Sequence, residues 1–254
     1  MRTALVAATI LLAAAWTLAA APAAPAPAKE AAAGKPIRIV ILGDSTVCNY
    51  PAGNSKAGWG QFLGEAFKPG TVAVSNLAAS GRSTKTFIKE GRLQKAVEEK
   101  ADFALIQFGH NDSHAKDKPE ATDAATDFRE NLRTYVDDFR KAGTEPIFVT
   151  PMHRRLFRAS GGLTQELKPY ADAMNAVAAE KKVPVVDLYT ASGEFFEKVG
   201  QEAGADLNCT PTDRTHFSPK GARAMVELIL PGLRAASPRL AAMMKDAAPA
   251  AEKK

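Results

Sequence analysis

The chain has 254 residues, with 33 lysines and arginines against 28 aspartates and glutamates, so its formal net charge at pH 7 is +5. Basic and acidic residues are interleaved and no nucleic-acid-binding motif is present, which excludes nucleic-acid binding as the explanation of this charge. The charge is compatible with a polyanionic substrate or a cell-surface polymer, without requiring either.

Residues 1–28 have the composition of a secretory signal peptide followed by an Ala/Pro-rich segment. Arg2 precedes an apolar, alanine-rich run from Ala4 to Ala20, and small residues and prolines follow. We predict cleavage, a periplasmic or secreted protein, and no stable membrane insertion afterwards. A membrane span is the alternative, but the run is short and has no stop-transfer cluster after it. The carboxyl-terminal residues, 241–254, are predicted to be a disordered tail, which leaves one folded domain over residues 35–240.

From residue 36 onward, strand-like and helix-like segments alternate. Five apolar, β-branched segments are predicted strands: residues 37–42, 72–77, 103–108, 146–150 and 183–188. Helical spacing of apolar residues predicts helices in residues 59–67, 93–100, 128–143 and 169–182, and a closing helix that begins at Ser218. This order predicts an α/β fold, a three-layer doubly wound sandwich around a five-stranded parallel sheet. Ligands of such sheets bind beyond the carboxyl ends of the strands, so the loops there are the candidate site.

Four loops at these positions carry short motifs. They are Gly-Asp-Ser-Thr-Val at 43–47, the segment 76–83 with a Ser-Gly-Arg-Ser end, Gly-His-Asn-Asp at 109–112, and Asp-Arg-Thr-His at 213–216. In this order they resemble the four blocks of the SGNH hydrolases, also called the GDSL esterase/lipase superfamily: a nucleophilic serine, a glycine, an asparagine and an Asp-x-x-His. The resemblance covers residues 39–221 and implies the flavodoxin-like topology of that superfamily.

The resemblance implies a serine esterase with Ser45 as nucleophile, His216 as base and Asp213 as the partner of the imidazole. Such chemistry needs these residue types, because a serine hydroxyl is a weak nucleophile until a base takes its proton. The implied oxyanion hole consists of the backbone N–H groups of Ser45 and Gly81 and the side-chain amide of Asn111. The alternatives are a surface histidine, Asx turns at the aspartate and the asparagine, and an ordinary turn glycine.

Further motifs resemble one group within the superfamily, the rhamnogalacturonan acetylesterases, which remove acetyl groups from pectic polysaccharide. These motifs are Gly-Asp-Ser-Thr-Val, Gly-Trp-Gly at 58–60, Gly-His-Asn-Asp at 109–112 and Pro-x-x-Arg-Arg at 151–155. Thr46 replaces the superfamily's familiar leucine, which argues against a lipid-specific member. Asp44 and Asp112 are expected to brace their loops, and His110 to order the loop around Asn111.

Several residues that flank the strand ends are candidates for substrate binding. Arg82, His153 and Arg154 are the principal ones, with Lys85 and Arg155 beside them, and the cations could meet galacturonate carboxylates. Solvated surface charges and a packed loop histidine are the alternatives. The expected partner is an acetylated polysaccharide.

The two cysteines, Cys48 and Cys209, lie on the loops that carry Ser45 and His216. Because these loops must converge if the catalytic residues meet, we predict a disulfide, with two free thiols as the alternative. The four histidines lack the carboxylate spacing of a metal site, so no metal or cofactor is expected.

Two other functions remain open at this point. One is another acyl hydrolase on the same fold, such as an acetylxylan esterase, a lysophospholipase or a thioesterase, because pocket shape rather than fold separates these activities. The other is a polysaccharide-binding protein without activity, which would have no use for all five of the implied catalytic and oxyanion residues.

Overall fold

The computed structural model describes residues 34–246. At its centre lies a sheet of five strands: β1 Ile37–Gly43, β2 Val72–Asn76, β3 Phe103–Gln107, β4 Glu145–Val149 and β5 Val185–Val186. All of their pairings are parallel, in the spatial order β2-β1-β3-β4-β5. The predicted α/β fold with a five-stranded parallel sheet in flavodoxin-like order is thereby confirmed. The predicted signal segment 1–28 lies outside the described residues.

Helices cover both faces of this sheet. Within residues 34–246 they are α1 Thr84–Lys89, α2 Arg92–Glu98, α3 Asp127–Lys141, α4 Lys168–Lys181, α5 Leu188–Val199, α6 Pro219–Ala236 and α7 Pro238–Met243. None of them is both long enough and apolar enough to cross a membrane.

Each face of the sheet has its own hydrophobic core. Successive side chains of β1 point to opposite faces, so Ile39 and Ile41 enter one core while Val40 and Leu42 enter the other. Side chains of α5, α6 and α7 complete the first core, and side chains of α1 to α4 complete the second. Because both faces are buried, the carboxyl edge of the sheet is the place where loops can form a site.

Three local predictions differ from the structure. The fifth strand is only two residues long, because Asp187 accepts a hydrogen bond from the backbone of Thr190 at 3.1 Å and begins helix α5. The predicted helix at 59–67 is instead two 3-10 turns, Trp59–Gln61 and Leu63–Ala66. The predicted tail boundary at residue 240 falls inside α7, and Met244 beyond it is 2% exposed.

A chain of buried hydrogen bonds ties the loop after β1 to the sheet. The indole Nε1 of Trp59 donates to Gln107 Oε1 at 2.7 Å, and Gln107 Nε2 donates to Thr46 Oγ1 at 2.9 Å. The Thr46 hydroxyl in turn donates to Asp44 Oδ1 at 2.8 Å. All four side chains are fully buried. A leucine at position 46 could take no part in this chain, which gives the threonine there a structural reason.

The two glycines around Trp59 permit this arrangement. A Cβ on Gly58 would lie 2.3 Å from the carbonyl carbon of Val47, and a Cβ on Gly60 would lie 2.7 Å from the Val47 oxygen. Since both contacts are with backbone, neither can be relieved by moving a side chain. The Gly-Trp-Gly motif therefore packs directly against the backbone of the 43–47 loop.

Replacement of Gln107 by Leu tests the buried hydrogen-bond chain. The substitution leaves the Trp59 indole N–H buried without an acceptor and removes the donor to the Thr46 hydroxyl, which keeps its bond to Asp44. The free energy of unfolding should therefore fall by about 1–3 kcal/mol. In the double variant Gln107→Leu/Trp59→Phe the indole donor is gone, and the loss should be smaller than the sum of the two single losses. Urea unfolding of the four proteins measures the coupling, and simple additivity would contradict the proposed link.

Candidate active site

Three predicted residues meet at the carboxyl edge of the sheet. Ser45 lies on the turn that follows β1, and its Oγ is 2.9 Å from Nε2 of His216, a residue 171 positions away that precedes α6. Nδ1 of the same imidazole is 2.8 Å from Oδ2 of Asp213. A hydroxyl, an imidazole and a carboxylate in this sequence of contacts can transfer the serine proton to the imidazole and stabilise the resulting cation.

Asp213 is held in place by its own loop. Its Oδ1 accepts hydrogen bonds from the backbone N–H groups of Thr215 and His216, both at 2.8 Å, while Oδ2 faces the imidazole. The Asx turn and the imidazole contact, which sequence reasoning treated as alternatives, are thus both present. Partial burial favours a higher pKa for Asp213, but the hydrogen bonds from His216 and Thr215 outweigh it and hold that pKa below its ordinary value.

A buried pair lies between the serine loop and the loop after β3. Nδ1 of His110 is 3.5 Å from Oδ2 of Asp44, and both side chains are almost completely buried. Burial raises the pKa of Asp44, yet the adjacent His110 and the bonds from Thr46 lower it further than burial raises it. The predicted bracing role of Asp44 fits this geometry, because its carboxylate contacts both the Ser45 loop and the Asn111 loop.

The residues predicted for the oxyanion hole lie on adjoining loops. In the described part of the chain, the backbone N–H groups of Ser45 and Gly81 donate no hydrogen bond to another protein atom. Asn111 donates from Nδ2 to the carbonyl of Arg82, next to Gly81, at 3.0 Å. Gly81 has a φ of +78°, which explains the glycine, whereas a Cβ there would meet open space rather than a crowded wall.

Asp112 joins the Asn111 loop to the start of α1. Its carboxylate accepts hydrogen bonds from the backbone and hydroxyl of Thr84, from the hydroxyl of Thr122 and from the backbone of Gly109. Burial raises the pKa of Asp112 to about 7 despite these bonds. This contact positions the glycine and asparagine loops relative to each other.

The candidate substrate-binding residues are engaged with the protein itself. Arg82 pairs with Glu90 at 3.1 Å, and Arg154 donates to the carbonyl of His110 at 2.9 Å. His153 is 5% exposed and stacks on the ring of Tyr189 with centroids 4.0 Å apart. The structure therefore does not bring these three side chains together as one open surface.

The predicted disulfide is wrong. Cys48 and Cys209 are both free and buried. The Cys209 thiol lies 3.4 Å from Oδ2 of Asp213, and the Cys48 sulfur faces the carbonyl of Ser45 on its own turn, 4.0 Å away. Burial raises the pKa of both thiols. The loops do converge as expected, but each thiol is directed toward its own loop.

Sequence reasoning missed several residues that shape the site. Gln107, a polar residue in the otherwise apolar β3, was the clearest available signal, because a polar side chain in such a strand needs a partner. Tyr50 donates from its hydroxyl to the carbonyl of Ser45 at 2.9 Å, and nothing in its loop sequence marks it. Among residues 34–246, His, Cys, Asp and Glu form no cluster of three or more suited to a metal ion.

Comparisons with known proteins agree with this geometry. Residues 41–224 match the model of the GDSL-like Lipase/Acylhydrolase family. Rhamnogalacturonan acetylesterase RhgT of Bacillus subtilis is 40% identical over 214 residues, which cover 78% of this chain and 90% of that protein. The probable rhamnogalacturonan acetylesterase YesY of the same organism is 37% identical over 202 residues, 77% of this chain and 92% of that protein.

A solved structure shows the same fold. The crystal structure of the YxiM protein of Bacillus subtilis superposes with a TM-score of 0.71 at 28% identity, over 79% of this chain. This chain covers only 57% of that longer one. From the matched residues, the level of identity and the shared fold, the chain belongs to the GDSL-like lipase/acylhydrolase family, the SGNH hydrolases.

Proposed function

We propose that this SGNH esterase is a carbohydrate acetylesterase that removes O-acetyl groups from rhamnogalacturonan, with Ser45 as its nucleophile. The observation that carries the proposal is the uninterrupted line of contacts from the Ser45 hydroxyl through His216 to Asp213, at 2.9 and 2.8 Å. The pectic substrate is supported by two relatives named for that activity, at 40% and 37% identity.

The proposed reaction proceeds through an acetyl-enzyme. Ser45 Oγ attacks the ester carbonyl carbon while His216 Nε2 takes its proton, and Asp213 stabilises the imidazolium. The oxyanion of the tetrahedral intermediate accepts hydrogen bonds from the N–H groups of Ser45 and Gly81 and from the Asn111 amide. Collapse breaks the bond to the sugar oxygen, which takes the proton from the imidazolium. Water then attacks the acetyl carbonyl carbon while His216 Nε2 takes a proton from it. The bond to Ser45 Oγ breaks, Oγ takes the proton back from the imidazolium, and acetate leaves.

The surface of the described chain favours a short acyl group. Ser45 is only 7% exposed, and Leu156, at 40%, is the one exposed large hydrophobic side chain in residues 34–246. Enzymes that bind a long acyl chain need a contiguous apolar surface to receive it. These observations support acetyl over long-chain esters and hence a carbohydrate esterase over a lysophospholipase.

We also propose export to the periplasm or the medium, on the order of charged, apolar and small residues in the segment 1–28. Export would bring the enzyme to a polymer that is too large to enter a cell. Fractionation of cells that express the full chain should yield a product shortened by about 20–28 residues outside the cytoplasm. A full-length product that stays with the membrane would contradict cleavage.

The substrate proposal is tested by acetate release from three substrates: acetylated rhamnogalacturonan, acetylated xylan and a long-chain nitrophenyl ester. We expect the wild-type protein to act chiefly on the first, and Ser45→Ala to lower kcat by about 10⁴-fold or more. Ser55→Ala, at an exposed loop serine, is the matched control and should keep full activity.

Each other outcome has a defined meaning. Ser45-dependent release chiefly from xylan or from the long-chain ester would keep the mechanism and discard the pectic substrate. Absence of hydrolysis on all three substrates would favour the polysaccharide-binding alternative. Activity that survives Ser45→Ala would reject the proposed nucleophile.

The lowered pKa of Asp213 predicts a pH-dependent contribution to stability. A carboxyl group whose pKa is lower in the folded state stabilises that state above its unfolded pKa of about 3.9, and this contribution is lost as the pH falls further. The difference in unfolding free energy between wild type and Asp213→Asn should therefore be larger at pH 5 than at pH 2.5.

Urea unfolding at a series of pH values measures this difference. Asp117→Asn, at a side chain that is 75% exposed, is the matched control at a surface carboxylate. A difference for Asp213→Asn that grows on acidification would contradict the predicted sign.

A further inference from the structure

We propose that Arg155 is a positioning residue, which holds the His216 loop in register with Ser45 and does not bind substrate. The inference rests on the proposed catalytic role of Ser45 and His216. It changes the expectation drawn from the Pro-x-x-Arg-Arg motif, where this arginine was one of the cations that could meet galacturonate carboxylates.

Arg155 contacts the base loop at three places. Its backbone N–H donates to the carbonyl of Arg214 at 2.8 Å. Its guanidinium donates from Nη2 to the carbonyl of His216 at 2.6 Å, and from Nε to Oδ1 of Asn208. One side chain that follows β4 thus bridges both ends of the segment 208–216, which carries the base and its aspartate. The segment contains no helix or strand, and a backbone hydrogen bond from Cys209 to the His216 carbonyl, at 3.2 Å, joins its two ends. Arg155 adds a side-chain restraint to this backbone contact.

The position of the guanidinium is fixed by packing as well as by hydrogen bonds. Arg155 is 4% exposed. Its guanidinium carbon lies 4.2 Å from the ring centroid of Phe217, the residue after His216, and 5.8 Å from that of Phe196 in α5. A planar cation can stack on an aromatic ring while its edges donate hydrogen bonds, which an ammonium group cannot do. An arginine at position 155 can therefore both stack on Phe217 and donate its hydrogen bonds, which a lysine could not.

Burial leaves little of this guanidinium accessible to a substrate in the observed conformation. Nη1 is buried and has no hydrogen-bond partner in the described part of the chain. A carboxylate of the substrate could reach it only if the surrounding residues moved. Arg155 and Arg214 both line the cleft at this position, but only 4% of Arg155 is exposed there. The motif's second arginine therefore acts on the protein, and any effect on catalysis passes through His216.

The buried charge also lies next to the catalytic pair. Burial lowers the pKa of Arg155 to about 10, and the Asp213 carboxylate partly offsets this, so the guanidinium stays cationic at neutral pH. Arg214 and Cys209 are the other titratable groups that face it, and Lys56 faces Cys209. A cation at this place favours the aspartate anion.

The experiment compares Arg155→Met and Arg155→Lys with wild type, using nitrophenyl acetate and acetylated rhamnogalacturonan. Arg155→Met should lower kcat by about 10²-fold, because a small displacement of the base has effects of this size, while KM changes little. Arg155→Lys retains the charge, but an ammonium group cannot reproduce the planar set of donors, so kcat should be reduced by only about tenfold.

A control and a second variant keep the test decisive. Arg223 stacks on Phe62 at 3.7 Å and pairs with Glu65 outside the site, so Arg223→Met should leave kcat unchanged. Asn208→Ala removes the partner of Nε but keeps the bond to the His216 carbonyl. If Arg155→Met does not fold, the kcat losses of Arg155→Lys and Asn208→Ala at unchanged KM decide the question.

Two results would overturn the proposal. One is wild-type kcat in a folded Arg155→Met protein, and the other is a raised KM at unchanged kcat, which would mark a substrate-binding residue. Both differ from a failure of the proposed function, in which the wild-type protein is inactive or Ser45→Ala retains its activity.

Discussion

Beneath the turn that carries Ser45, the carboxyl edge of the sheet is buried, and most polar groups in such a place need a hydrogen-bond partner. This constraint fixes the position of Ser45, the proposed nucleophile. Trp59, Gln107, Thr46 and Asp44 form a closed sequence of donors and acceptors under the turn that carries Ser45. A rotation of any one of these side chains would leave a donor unpaired in the interior, at a cost of about 1–3 kcal/mol. The serine is therefore presented by a rigid turn, although the turn itself has no regular secondary structure.

The base is held by a different kind of restraint. His216 approaches from a loop 171 residues further along the chain, and a parallel sheet provides no direct connection between that loop and the nucleophile turn. Arg155, in the loop after β4, supports the base loop with hydrogen bonds to its backbone and with an aromatic ring under the guanidinium. A backbone hydrogen bond from the Ala57 N–H to the Phe217 carbonyl, at 2.9 Å, also joins the two loops. A neutral hydrogen-bond chain thus supports Ser45, and a buried cation supports His216. A contact of 2.9 Å between them requires both.

The sequence predicts the features that depend on the spacing of apolar residues and on the order of segments along the chain. Apolar runs define the five strands, and their parallel order places three of the motif loops at one edge. The contact of Ser45 with His216 was implied by the resemblance to the SGNH hydrolases. It does not predict what depends on the direction of individual side chains. Asp187 ends the fifth strand early because its carboxylate caps a helix, and Cys48 and Cys209 lie on converging loops but face away from disulfide geometry toward their own turns. Spacing along the chain carries no information on such rotamers.

The same distinction applies to charge. A net charge of +5 and four cations near the strand ends suggest a surface for a polyanion, yet Arg82 and Arg154 have partners within the protein and Arg155 is only 4% exposed. The reacting ester is neutral, and the charge that develops during its cleavage is on an oxygen that N–H donors can stabilise. The cations in this site therefore serve first to position the loops, and only second to bind the substrate. The number of arginines near a site does not show whether they position the protein's own loops or bind the substrate. The burial of each arginine and its hydrogen-bond partners distinguish these two roles.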